Sequence, residues 1–357
     1  MKTDSLKLIQ DLSNANGISG FEDEVLEVAR KYIGDSLDVK EDTLRNLYCT
    51  PKNQIENKPV VMLDGHTDEV GFMIQTIKND GTMKFIPIGS WFAQNLGSQR
   101  VRIRNSDGDY IKGVVASKPP HFMNPSERNT VIEITGMVID VGAVSKEEVT
   151  QKFKIEPGAP VVPEVTFEFN PMNKVMIGKA FDDRLGCACV LDTLTQLQGS
   201  DLNVKLVGSL SSQEEVGLRG AKVAAQTIRP DIAIVFEGTP SDDNFTDASI
   251  AQGAMGKGPQ IRHRDSSMVG NPRFIKFARD IAKKENIKFQ DAVRENGGTN
   301  AGNIHLSNTG VPTIVIGIPV RYAHTHYCYS SYNDYTEAVR WAVAILKNID
   351  KDIIAEF

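Results

Sequence analysis

The sequence predicts an α/β protein: a mainly parallel, mixed sheet flanked by helices, interrupted by a small β-rich, barrel-like insertion. Three observations lead there. After about residue 166, short apolar runs alternate with helical stretches, the rhythm of strands joined by crossover helices. Between residues 72 and 165 that rhythm gives way to short alternating runs punctuated by Asp-Gly. The run Val60-Val61-Met62-Leu63, ahead of the change, has the buried-strand character of the later segments. The division that follows is 1–70 and 166–357 for the α/β domain and 71–165 for the insertion.

Residues 5–33 read as two amphipathic helices broken at Asn16-Gly17. In the insertion, strands are expected over 82–88, 100–104, 110–115 and 131–138. Asp80-Gly81 and Asp107-Gly108 mark hairpins, because both turn residues need positive φ. Ser145-Lys146-Glu147-Glu148 fits the capping box of a helix start. Beyond it, strands are expected at 204–209, 232–236 and 313–318, with helices over 183–197, 217–228 and 272–286.

Composition narrows the function classes. With 357 residues, 40% hydrophobic and 24% charged, the chain can bury a large core and is not of the disordered class. A net charge of −6 makes nucleic acid a poor partner, since every phosphate would be repelled. No apolar run approaches the ~18–20 residues of a membrane span, and the start lacks a signal-peptide core. Cys49, Cys187, Cys189 and Cys328 form no CxxC pair, which suits a reducing, cytoplasmic setting.

The chemistry lies at strand ends. Asp64-Gly65-His66-Thr67-Asp68-Glu69 follows the 60–63 strand, and Gln213-Glu214-Glu215 follows the 204–210 segment. Glu237 follows 232–236, Arg321-Tyr322-Ala323-His324-Thr325-His326 follows 313–319, and Lys179-Ala180-Phe181-Asp182-Asp183-Arg184 opens a helix. Singly, each has an ordinary explanation: a hydrogen-bonded His-x-Asp pair, a helix start favoured by its dipole, a solvated acidic loop. Together they place histidines and carboxylates on the edge where open α/β sheets build their sites. Carboxylates directly after buried strands are costly unless a cation compensates. Mixed imidazole and carboxylate donors favour zinc, cobalt or manganese over calcium. The donors outnumber the needs of one tetrahedral ion, so two ions ~3.5–4 Å apart across a bridging carboxylate are expected, as in dinuclear hydrolases.

The segments GHTDEVGFM (65–73), GKAFDDRLG (178–186), SSQEEVGLRGA (211–221) and IPVRYAHT (318–325) resemble those of the tetrahedral, or glutamyl-type, aminopeptidases. NGISGFEDEV (16–25) and GGTNAGNIHLSNTGVPT (297–313) extend the resemblance over almost the whole chain. It implies the metallo-aminopeptidase fold with an inserted lid domain. It also implies an exopeptidase that removes residues from the free amino end of peptides with two divalent ions, Zn2+ or Co2+. By this resemblance His66 and Glu237 are terminal ligands of one ion, Glu215 and His324 ligands of the other, and Asp182 the bridge. Glu214 is the general base, and Asp68 orients His66. Asp183 shapes the turn after the bridge.

Three departures from the family pattern matter. Glu237 stands where Asp is usual, one methylene longer, so a backbone shift or altered denticity is expected. Asn300 stands where GGTDAG is usual, and His326-Tyr327-Cys328-Tyr329 replaces a Pro-hydrophobic-Glu run. Arg321, Asn300 and His326 are the candidate substrate-binding residues. Peptides are the expected partners, neither nucleic acid nor membrane, with self-association of dimers into a tetrahedral dodecamer. The alternatives are a deacylase or other amide hydrolase on this scaffold, or a polysaccharide hydrolase. The last needs two carboxylates and no metal pair, so the histidines count against it.

Overall fold

The computed structural model describes residues 4–55 and 57–357. Two helices, Ser5–Asn14 and Asp23–Ile33, flank the turn at Asn16-Gly17 as the sequence predicts. Asp4 caps the first by accepting the Lys7 N–H. The second carries Asp23 and Glu24 in its first turn and Arg30 and Lys31 in its last, both favoured by the helix dipole.

Three strands follow: β1 (Leu37–Glu41), β2 (Leu47–Pro51) and β3 (Val60–His66). The next six are β4 (Gly71–Ile77), β5 (Met83–Ile88), β6 (Arg100–Arg104), β7 (Tyr110–Ala116), β8 (Val138–Asp140) and β9 (Pro160–Pro163). They close into a barrel in the order β4-β5-β8-β7-β6-β9. The last eight are β10 (Glu168–Asn170), β11 (Val175–Gly178), β12 (Lys205–Ser211), β13 (Ile232–Pro240), β14 (Gln260–Arg264), β15 (Gln290–Val293), β16 (Thr313–Arg321) and β17 (Cys328–Ser331). With β1–β3 they build an eleven-stranded sheet whose path is β1-β2-β12-β3-β13-β16-β17-β11-β10, with β14 and β15 branching from β16.

The centre of this sheet, β12-β3-β13-β16, is parallel, and its margins are antiparallel except for the parallel β14–β15 pair. The central strands are nearly continuous apolar runs because both faces are covered. Val61 and Leu63 pack into one core with Leu185, Cys189 and Leu194 of the Phe181–Gln196 helix. Met62, between them, points to the opposite core beside Ala221, Ala224 and Ala225 of the Arg219–Ile228 helix.

The barrel has its own core, in which Phe72, Phe85, Val101, Ile103, Val115, Ile139 and Val161 meet. Hairpins form at both Asp-Gly sites, joining β4 to β5 and β6 to β7. Closure comes from pairing β4 with β9, Phe72 opposite Val161. Two expectations need correction here. The run 131–138 is not one strand: Ile134–Gly136 is a tight helical turn and only Val138–Asp140 pairs. The 145–148 signal caps a single wide turn, Glu148–Lys152, closed by Phe153 N–H to Glu148 O at 3.2 Å. Glu148 N donates to Ser145 Oγ at 3.2 Å, but the Glu148 carboxylate reaches back to Val144 N, one residue before the predicted cap.

Candidate metal centre

All five polar segments converge beyond the carboxyl ends of the central strands. His66 ends β3, Glu237 lies within β13, and Glu214 and Glu215 sit in the turn after β12. His324 lies three residues past β16, with φ at +59°. Asp182 and Asp183 begin the Phe181–Gln196 helix in non-helical conformations and are joined by a cis peptide bond. Close backbone approach brings these tips together. A Cβ at Gly65 would stand 2.7 Å from the Gly186 carbonyl carbon, and one at Gly238 would stand 2.4 Å from Phe181 O. Glycine at both positions lets the strands carrying His66 and Glu237 press against the turn carrying Asp182.

Asp182 is the hub. Its Oδ1 lies 3.1 Å from His66 Nε2, and its Oδ2 lies 3.2 Å from His324 Nε2. His324 Nε2 is also 3.4 Å from Glu215 Oε1, and His66 Nε2 is 3.8 Å from Glu214 Oε2. Three sets of donor atoms each fall within 4.8 Å: His66–Asp182–Glu237, Asp182–Glu215–His324 and His66–Glu214–Glu215. Glu237 reaches its set without disturbing the strand, since β13 keeps its register with β16 across Glu237 opposite Gly317.

The electrostatics of this cluster call for cations. Burial pushes Glu214, Glu215 and Glu237 above the usual carboxylate range, and mutual repulsion adds to it. Burial opposes charge on His66 and His324 too. It is outweighed, for His66 by Glu214, Asp182 and Asp68, and for His324 by Asp182 and Glu215, which lift His324 to about 11. The same two imidazoles overcome burial at Asp182 and hold it low. Four carboxylates thus share two imidazoles, and Glu237 Oε2 is buried with no hydrogen-bond partner among the described residues. An uncompensated buried carboxylate oxygen beside imidazole nitrogens fits a divalent cation.

A second layer holds these donors. His66 Nδ1 lies 3.1 Å from Asp68 O and 3.4 Å from Asp68 Oδ1, which turns Nε2 toward Asp182. Asp68 also accepts the Glu214 and Glu215 N–H groups at 2.9 and 3.1 Å. Asp183 accepts the N–H groups of His66 and Gly186, tying strand tip to helix start. Glu69 is buried with two cations: Lys179 Nζ donates to it at 2.5 Å and Arg184 Nη2 at 3.2 Å. Burial lowers Lys179 to about 8.

Beside the cluster opens a cleft of about 760 Å3, walled by Ser90, Leu218, Thr239, Arg262, Ser267 and Arg294 along with the cluster itself. The substrate-binding candidates are not on this wall. Arg321 is spent in a bidentate pair with Asp243, at 3.0 and 2.6 Å. Asn300 is buried, donating to Asp64 Oδ2 and Ser211 Oγ at 2.8 Å each. His326 is buried edge-on to Trp91, ring centres 5.4 Å apart, and burial lowers it to about 4. Ser90, Arg262, Ser267 and Arg294 escaped sequence reasoning because they come from β14 and loops with no motif of their own, whereas Leu218 lies in the 211–221 motif and Thr239 two residues past Glu237.

An α/β sheet with imidazoles and carboxylates gathered at its carboxyl edge, joined to a closed barrel, is the arrangement of metal-dependent peptide hydrolases. The chain belongs to the M42 glutamyl aminopeptidase family, whose profile matches residues 46–341. It is 31% identical to the glutamyl aminopeptidase of Lactococcus lactis over 99% of this chain and 98% of that one. Its structure is similar to the TET aminopeptidase of the marine sediment archaeon Thaumarchaeota archaeon SCGC AB-539-E09, with TM-score 0.95, 36% identity and 99% of each chain covered. It is also similar to the TET1 peptidase of Pyrococcus horikoshii, which can assemble into a tetrahedron or a large octahedral shell. There the TM-score is 0.87 at 26% identity, covering 97% of this chain and 100% of that one. The protein is an aminopeptidase, a hydrolase of peptide bonds. Among the described residues no helix is long and apolar enough to cross a membrane.

Proposed function

We propose that the aminopeptidase works through two divalent ions, Zn2+ or Co2+, held about Asp182, with Glu214 as general base. The observation that carries this reading is the split of the Asp182 carboxylate, one oxygen toward His66 and the other toward His324. His66 and Glu237 complete one ligand set, Glu215 and His324 the other. When bound, such ions would polarise the scissile carbonyl and acidify water toward a pKa of ~7.

The chain's own residues do the rest. Glu214 is at the cleft, its Oε2 3.8 Å from His66 Nε2, and burial and neighbouring carboxylates raise its affinity for a proton. It takes a proton from the attacking water and returns it to the leaving amine. A peptide that enters this cleft by its amino end brings its free amine to the cluster. Peptide substrates with unblocked amino ends follow.

The barrel, taken as an inserted domain over 71–165, is proposed as the lid and the place where protomers pair before assembling into a tetrahedral dodecamer. Light scattering of metal-loaded protein should give a mass well above the monomer; monomer alone contradicts it. Four free, buried cysteines fit a cytoplasmic protein.

Chelation followed by a panel of aminoacyl chromogenic amides, acetylated peptides and a β-glucan tests the function. Chelator-sensitive release from unblocked amides alone is expected. Release from acetylated peptides would point to a deacylase, and release from the glucan would overturn the reading.

A further inference from the structure

The segment 16–22, Asn16-Gly17-Ile18-Ser19-Gly20-Phe21-Glu22, lies far from every metal ligand in sequence, yet it is built into the turn that carries Glu214. Ile18 bridges to Glu69, laying the segment along the chain that leaves β3. Ser19 Oγ donates to Asp68 Oδ2 at 2.6 Å. Glu22 is 1% exposed; its Oε1 accepts the Gly20 N–H at 2.9 Å and the Gln213 N–H at 3.2 Å. Its Oε2 is buried with no hydrogen-bond partner among the described residues.

Placed beside the Asp68 contacts, this has a simple form. The N–H groups of Gln213, Glu214 and Glu215 are three successive amides, and two buried carboxylates hold them: Glu22 the first, Asp68 the next two. Successive amides aimed at anionic oxygens make a concave seat. Here the seat is turned around: the carboxylates are fixed, and the backbone of the turn is what they orient. Gln213 needs this support, because it sits in the left-handed region with φ at +53°. A buried carboxyl is an expensive way to fill space next to another carboxylate. Burial, then Asp68, raises Glu22 to about 7, so it accepts hydrogen bonds near neutrality without adding a full charge to the cluster.

We propose that Glu22, with Ser19 behind Asp68, is a positioning residue for peptide hydrolysis: it holds the Gln213 N–H and thereby aims the Glu214 carboxylate. The inference rests on Glu214 as the general base. Its consequence is kinetic, because a base displaced by about 1 Å loses on the order of 10²-fold in rate.

The test uses the full-length, metal-loaded enzyme and an unblocked aminoacyl p-nitroanilide. Glu22→Ala should lower kcat roughly 10- to 100-fold. KM should stay within about threefold and metal per chain should be unchanged, the pattern of a lost transition-state contact. Glu22→Gln should return kcat to within about threefold of wild type, since its carboxamide oxygen can accept the same N–H. Ser19→Ala should give a smaller fall in kcat by loosening Asp68. Adding Glu22→Ala to Glu214→Gln should slow the enzyme no further, because both act through one group.

The proposal is overturned if Glu22→Ala keeps wild-type kcat, if Glu22→Ala and Glu22→Gln are equally slow, or if metal is lost in step with activity. Should Glu22→Ala fail to fold, Glu22→Asp replaces it: drawing the oxygen back one methylene should make it about tenfold slower than Glu22→Gln, and equal rates overturn the proposal. A Glu214→Gln enzyme with wild-type kcat would instead remove the base assignment, whatever the Glu22 variants do.

Discussion

The barrel and the parallel centre of the main sheet bury strands of similar length by different rules. In the barrel, residues alternate between a packed interior and an outer wall, so polar side chains have an obvious place: Lys112 of β7 points outward and pairs with Glu164 at 3.0 Å. In β3, β13 and β16 both faces are covered, and a polar residue has no such excuse. His66, Glu237 and the residues just past β16 are polar although the strands leading to them are buried throughout. A charged residue in the barrel is explained by the pleat, whereas one at the tip of a doubly covered strand is explained by chemistry.

The largest effect should therefore come from the sheet edge. Glu214→Gln keeps the shape of the side chain but cannot take a proton, and kcat should fall by ~10²–10⁴. Lys112→Gln, breaking an exposed barrel ion pair, should cost at most about 1 kcal/mol of stability and leave kcat alone. Equal losses in steady-state assays of the two variants would erase the contrast.

Next comes a substitution inside the barrel. Phe85 packs edge-on to Phe72, ring centres 5.1 Å apart, in a core separate from that of the sheet. Phe85→Ala should cost about 3–5 kcal/mol in denaturant melts, without changing the metal content of the folded protein. Loss of metal before loss of barrel structure would show that the two regions are not independent.

Glu22 ties the regions to pH. In the fold its carboxyl is raised from 4.5 to about 7, by burial first and Asp68 second. The folded chain keeps a proton that the unfolded chain releases, so this residue's contribution to stability falls as pH rises from 4.5 to about 7. At ~1.4 kcal/mol per unit, the loss is on the order of 3 kcal/mol. Glu22→Gln removes that loss and should gain on wild type between pH 5 and pH 8 in paired thermal melts. A constant difference at the two pH values would contradict it.

The smallest effect is expected at Glu237, which lies in β13 opposite Gly317 of β16. Glu237→Asp should weaken one ion about tenfold and leave the other unchanged in competition titrations. No difference among wild type, Glu237→Asp and Glu237→Ala would exclude Glu237 as a ligand.

Much of this was legible before any coordinates. His66, Glu214, Glu215, Glu237 and His324 stand out because each follows an apolar strand run, Asp182 because it opens a helix with a second Asp, and two hairpins are visible in Asp80-Gly81 and Asp107-Gly108. What stayed hidden depended on partners distant in sequence. Barrel closure rests on Phe72 opposite Val161, a pairing no local signal encodes. The run 131–138 has strand composition, yet only its last residue finds a partner strand. Asn300 stands out by its motif, but its buried hydrogen bond to Asp64, 236 residues away, has no local signal. Glu22 lies in the 16–25 segment, but its role has no local signal, because the Gln213 N–H it accepts lies 191 residues away.

The most direct test of the central claim is metal bound per chain, measured by elemental analysis after dialysis, in wild type, Glu214→Gln and Glu215→Gln. Glu214 lies 3.8 Å from His66 and Glu215 3.4 Å from His324, so the two neighbours should not share a task. Wild type and Glu214→Gln should each hold two ions, while Glu215→Gln holds fewer and regains activity in part with excess metal. A Glu214→Gln protein that loses metal beside a Glu215→Gln protein that keeps both ions would contradict the assignment of base and ligand.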